Sequence, residues 1–144
     1  MTKDEADIRA IIADRSKALY AKNADLLFAH NAKDFFAYDL DPPLLHKGAA
    51  PDAKAHTEAW FATWKGPISR EDRDVSVTAG GDVAFATSLA HMTGTKTEGY
   101  DVSLWFRTTT GFRKENGEWK IVHAHSSVPF AMDGSFKACV DLKP

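Results

Sequence analysis

The feature that most constrains the fold is a change of hydrophobic period about halfway along the chain. Before Gly66-Pro67 the apolar residues recur mostly at three- and four-residue steps; from there to Phe130 they alternate. Ile8, Ile11, Ile12, Arg15 and Leu19 predict a first helix with one largely apolar face, and Asp4, Glu5 and Asp7 sit where negative charge suits its first turn. Asn23 ends that helix, and a shorter one carries Leu26, Leu27 and Phe28. Residues 35–40 read as a short aromatic strand, broken by Asp41-Pro42-Pro43 because proline cannot donate to a ladder. Residues 51–64 read as a third helix that buries Trp60, Phe61 and Trp64. In the second half, Val75, Val77 and Ala79 alternate before a turn at Gly80-Gly81-Asp82. Val83, Phe85, Thr87, Leu89, His91 and Thr93 then share one strand face, and residues 94–99 read as a polar turn. Val102, Leu104, Phe106 and Thr108 alternate with Ser103, Trp105, Arg107 and Thr109. Asn116-Gly117 is the strongest hairpin signal, since a type I′ turn needs positive φ at both central residues. Helices followed by consecutive antiparallel strands specify an α+β fold with helices on one face of a sheet.

Length and charge exclude several classes. The 144 residues fit one domain, residues 1–144, with enough burial to need neither disulfide nor metal. A net charge of -2 with no basic block argues against a nucleic-acid partner. No apolar run approaches the ~20 residues of a membrane span, so no membrane partner is expected. The single Cys139 forms no intrachain disulfide, which fits a cytoplasmic location.

The final strand is the most informative segment for chemistry. By simple alternation Trp119, Ile121, His123, His125 and Ser127 point one way, grading from apolar to polar. That gradient predicts a cavity, dry at one end and polar at its mouth, lined by the two imidazoles and the hydroxyl. Arg107, flanked on its own face by Trp105 and Thr109, reads as an anion clamp, because a guanidinium presents a planar fork of donors. Asp39 and Asp41 end the first strand, and either carboxylate in an apolar pocket would act as general acid or base; Asp41 also suits a plain Asp-Pro turn. His91 lies on a neighbouring strand and joins the same set. Trp60 is carried forward as a ligand contact, although with Phe61 and Trp64 it reads first as core. His30, His46 and His56 have no supporting constellation and read as surface residues. Two histidines at i and i+2 are also compatible with a metal, with His91 or Asp39 as third ligand, but the spacing is weakly specific and no metal or other cofactor is expected.

Five segments together carry a resemblance. They are Asn23-Ala24-Asp25 after the first helix, the stretch from Asp34 to Asp39, the proline loop closing at Gly48, Gly81-Asp82-Val83-Ala84, and the Gly-x-Trp-x-Ile-x-His-x-His-Ser ending. The chain resembles, over about residues 4–130, the SnoaL-like branch of the nuclear transport factor 2-like superfamily, the cone-shaped fold of ketosteroid isomerases and small polyketide cyclases. The resemblance implies a strongly curved sheet wrapped over helices, a deep pocket, and homodimers packed through the sheet. In the isomerases an aspartate base ends the first strand; Asp39 or Asp41 matches it, depending on the anchor. The isomerase tyrosine that binds the developing oxyanion falls here on Lys17, with Tyr20 a turn away, which disfavours steroid isomerisation. The ending also resembles the association domain of calcium/calmodulin-dependent kinase II, whose pocket arginines include a position matched here by His91.

The expected function is therefore acid/base chemistry on a small carbonyl- or carboxylate-containing molecule. Asp39 would act as base, His123 or His125 as the group that polarises or protonates oxygen, and Arg107 as the carboxylate holder. Trp105, Thr109, His91, Trp60 and Ser127 complete the ligand contacts. The alternatives are a non-catalytic small-ligand module and a dimerising scaffold.

Overall fold

The computed structural model describes residues 1–48 and 51–144. Helix α1 (Lys3–Ala21) starts where Thr2 Oγ1 accepts the Glu5 N–H, and it ends at Lys22, which turns left-handed (φ 51°) and donates its N–H to the Ala18 and Leu19 carbonyls. Its apolar stripe buries Ile8, Ile11, Ala18 and Leu19. Asn23 caps α2 (Ala24–Phe28), its Oδ1 accepting from the Leu26 N–H at 3.1 Å. The remaining elements are β1 (Asn31–Tyr38), β2 (His46–Lys47), α3 (Ala53–Phe61), β3 (Trp64–Gly80), β4 (Val83–Lys96), β5 (Asp101–Glu115) and β6 (Glu118–Ser127).

The strands form one six-stranded sheet in the order β2-β1-β6-β5-β4-β3. β1 lies parallel to β6, and every other pair is antiparallel. The β5–β6 turn has positive φ at both Asn116 (52°) and Gly117 (80°), as its sequence predicts. One face of the sheet, here the inner face, receives α1. Ile8 and Ile11 pack with Ala86, Phe112, Trp119 and Ile121, while Leu19, Ala24, Phe61, Trp64 and Ile68 form a second cluster. Polar ties fix the helix on the sheet. Lys114 Nζ and Trp119 Nε1 donate to Asp4 Oδ1 at 2.9 and 3.0 Å, and Arg9 Nη2 donates to the Val75 carbonyl at 2.9 Å.

Three boundaries differ from the sequence reading. α3 stops at Phe61, and Trp64 opens β3 instead of closing the helix. The 60/61/64 spacing fits a helical stripe, but Trp64 buries its ring against Gly94 across the sheet. Gly94 accordingly sits inside β4, not in a turn, and a Cβ there would stand 2.9 Å from the indole. β1 begins earlier than expected, at Asn31, because pairing with β6 extends it. β3 runs through Gly66-Pro67, where its ladder with β4 is interrupted between Lys65 and Ser69.

The consequential difference is a β-bulge in the last strand. Gly111 pairs with His123, but its neighbour Phe112 pairs with Ile121, so Val122 is an extra residue in β6. An extra residue reverses the alternation downstream of it. Before the bulge, Trp119 and Ile121 face inward opposite Lys114 and Phe112. After it, Ala124 and Ser126 face inward opposite the buried Thr110 and Thr108, and His123, His125 and Ser127 face outward opposite Gly111, Thr109 and Arg107.

The Trp64–Gly94 contact yields a stability test by denaturant unfolding. Gly94→Ala should destabilise the protein by about 1–3 kcal/mol, because the buried indole cannot move aside. Gly80→Ala, where a Cβ meets nothing within 4 Å, should stay within about 0.5 kcal/mol of the parent. Equal effects would contradict the packing described.

Candidate functional site

The inner face carries a charged cluster under α1. Arg70 and Asp72 lie two apart on β3 and so share a face; Arg70 Nε and Nη2 donate to Asp72 Oδ2 and Oδ1 at 3.2 and 3.1 Å. Ser88 on β4 donates to the same Oδ1 at 2.7 Å. The Arg70 guanidinium stands 5.4 Å from the Phe106 ring centroid. Arg15 reaches this cluster from the buried stripe of α1. Its Nε is shut off from solvent and has no hydrogen-bond partner among the described residues. Burial, with a smaller contribution from Arg70, lowers the Arg15 pKa to about 10, against the opposing charges of Asp39 and Asp72.

These groups line a small hollow. Ile12, Arg15, Arg70, Asp72, Ser88 and Thr108 are among its walls, and it leaves about 20 Å³ to the centre of a water-sized molecule. That is room for a water or for the terminal group of a ligand. The lining brings two guanidinium groups against one carboxylate. A second, open groove of about 300 Å³ runs along β1 and β2, between Phe36, Tyr38, Leu45 and the exposed Lys33, Asp34 and Lys47; none of its lining residues is buried.

The structure does not bring the sequence-predicted residues into one cavity. Because of the bulge at Val122, His123, His125 and Ser127 stand on the outer face and not in the hollow. His123 stacks on Phe36 at 4.3 Å, and its Nδ1 donates to the Phe36 carbonyl at 2.9 Å. His125 is exposed and meets Tyr38 edge-on at 5.4 Å. Trp105, Arg107 and Thr109 share that outer face, and His91 pairs with Trp105 across the β4–β5 ladder. The His91 and Trp105 rings stack at 4.3 Å, with His91 Nε2 2.8 Å from Ser103 Oγ. Arg107 and Thr109 are exposed. Trp60 is 37% exposed on α3 and leans on Trp64, away from the hollow.

Asp39 separates from that group. It lies just past the end of β1, after Tyr38, which meets both outer-face histidines. Asp39 is exposed, its Oδ1 accepts the Leu40 N–H at 2.8 Å, and its charge favours the Arg15 cation. Asp41 is also exposed, within salt-bridge reach of His46 at 3.5 Å. Among the described residues, no three His, Cys, Asp or Glu side chains gather as a cation site.

Sequence reasoning missed Arg15, Arg70, Asp72 and Ser88 as a site. One signal was present: Arg15 is the only charged member of an otherwise apolar helical stripe. A charge at such a position is either paired inside or waiting for a partner.

Comparison with known proteins matches this architecture. The model of the SnoaL-like domain matches residues 8–131. A crystal structure of an NTF2-like protein of unknown function from Pseudomonas putida KT2440 superposes with a TM-score of 0.86 at 31% identity, covering 100% of this chain and 99% of that one. An NTF2-like superfamily protein from Salmonella enterica gives a TM-score of 0.76 at 16% identity, covering 90% and 94% of the two chains. A protein of the NTF2-like family from Streptomyces avermitilis, provisionally named a dehydratase, gives 0.75 at 17% identity over 89% and 97%. Among curated proteins none matches the chain. Helices packed on an open curved six-stranded sheet, together with the family match over most of its length, mean that the chain belongs to the SnoaL-like family of the nuclear transport factor 2-like superfamily.

Proposed function

We propose that the hollow under α1 binds a small carbonyl- or carboxylate-containing molecule and that Asp39 works on it as a general base. The observation that carries this reading is the Arg15 Nε, buried and without a hydrogen-bond partner among the described residues. Holding it there is costly. Burial lowers its pKa to about 10, a cost to the charged form on the order of a few kcal/mol. The cost is fully present at neutral pH, because a lowered cation pKa penalises folding until the pH rises through that value. A purely structural role would favour an apolar residue in this stripe. A ligand oxygen bound by Arg15 gives the charge its missing partner.

The chemistry follows from the two groups. Asp39 accepts a proton from a carbon beside the carbonyl, the C–H electron pair moves onto the carbonyl oxygen, and the nearby cation stabilises the charge that develops there. Reversal at another atom gives isomerisation, and loss of a leaving group gives elimination. The S. avermitilis relative's name is compatible with the second outcome. His123, His125 and Arg107 take no part in this scheme, since they stand on the other side of the sheet.

The outer face supports a second, compatible proposal, a homodimer packed through the sheet. Val83 is 63% and Phe85 48% exposed on that face, which carries the stacked His91 and Trp105 further along the same strands. Exposed apolar side chains grouped on one sheet face mark an association surface, and dimers of this kind are what the family resemblance implies.

Three measurements test these readings. A panel of small ketones, keto acids and enones, followed by NMR in D2O, should contain a compound whose C–H exchanges with solvent in the presence of the protein. Asp39→Asn should abolish that exchange while leaving binding in place; bound compounds that never exchange would make the protein a binder and not an enzyme. Arg15→Met should raise the unfolding free energy of the ligand-free protein by about 1–3 kcal/mol, and a loss of similar size would mean that Arg15 is a structural residue. In sedimentation, Phe85→Glu should convert a dimer to a monomer; a parent protein that is already monomeric removes the dimer proposal.

A further inference from the structure

We infer that the ligand group seated in the hollow is a single carboxylate, so that the substrate class is a small monocarboxylic acid; this rests on the hollow being the ligand site. Four observations lead there. Arg70 is already committed, both of its bonding nitrogens going to Asp72, whose Oδ1 also accepts from Ser88. Arg15 is uncommitted at Nε, which is shut off from solvent and has no hydrogen-bond partner among the described residues. The lining holds two guanidiniums against one carboxylate, and Asp39 is the other negative charge acting on Arg15. Its hydroxyls also favour an acceptor: Thr108 Oγ1 accepts from Ser126 at 3.2 Å and keeps its own O–H to donate, and the buried Thr110 belongs to the same lining.

Charge and size then select among anions. Two guanidiniums facing Asp72 in the lining, with the Asp39 charge beyond it, admit at most a monoanion, whereas a phosphate dianion would leave a buried negative charge unpaired. About 20 Å³ seats a terminal group and leaves the body of the ligand outside. A guanidinium fork binds the two coplanar oxygens of a carboxylate through two donors, which a spherical halide cannot use equally well. The same fork accommodates a carboxylate oxygen and an adjacent carbonyl oxygen together, which connects this assignment to proton removal by Asp39.

Acetate and acetamide have nearly the same shape and differ in charge, so they test the assignment directly. In chloride-free buffer, acetate should raise the melting temperature and move the Arg15 Nε–H resonance of the parent protein, and acetamide should do neither at the same concentration. Arg15→Gln should weaken acetate binding at least tenfold. The resonance shift is read in the parent protein, so the test holds even if the variant folds poorly. Equal effects of acetate and acetamide, or acetate binding that survives Arg15→Gln, would overturn the carboxylate assignment. Acetate without effect, while a neutral carbonyl compound still moves the Arg15 resonance, would overturn it and leave the ligand-site reading standing. If neither class of compound moves that resonance, both fall.

Discussion

The extra residue at Val122 decides which half of the last strand meets α1. Upstream of it, Trp119 and Ile121 complete the core with Ile8 and Phe112. Downstream, the inward positions pass to Ala124 and Ser126, small enough to leave a hollow beside Thr108 and Thr110. A straight strand would have driven two imidazoles into the same space, on top of Arg15 and Arg70. Their charges would then compete in a site with little solvent to screen them. The bulge thus keeps the two imidazoles of β6 outside, away from the Arg15 and Arg70 guanidiniums inside.

The inner set is organised by an asymmetry. Arg70 and Asp72 satisfy each other within one strand, and Ser88 secures the carboxylate from the next. Arg15 comes from a different element and is brought close without being given a partner. Such an arrangement costs stability in the empty protein and supplies a pre-oriented donor fork to whatever binds. Unfavourable ground-state electrostatics at a cavity wall are a recurrent property of binding and catalytic sites.

Much of the architecture was legible in the residues. The stripe of α1, the break between helices at Asn23, and the Asn116-Gly117 hairpin rest on local interactions, which sequence spacing records directly. The failures share a cause. Trp64 looks helical with Trp60 and Phe61 because its true partner, Gly94, lies far away in sequence. The bulge is invisible for the same reason: two residues facing one is a relation between β5 and β6, and neither strand alone contains it. Arg15 was visible as an oddity on an apolar face, but its meaning depends on Arg70 and Asp72, contributed by β3. Asp39 lies just past the end of β1, near enough to Arg15 for its charge to favour that cation.

A crystal structure of the protein with a small carbonyl-containing acid bound tests the central claim most directly, because the two faces of the sheet are mutually exclusive locations. The account predicts the ligand on the inner face, with an oxygen within hydrogen-bond distance of the Arg15 guanidinium and Asp39 near the adjoining carbon. A ligand seated against His123, His125 and Arg107 on the outer face, with Arg15 still unpartnered, would contradict it.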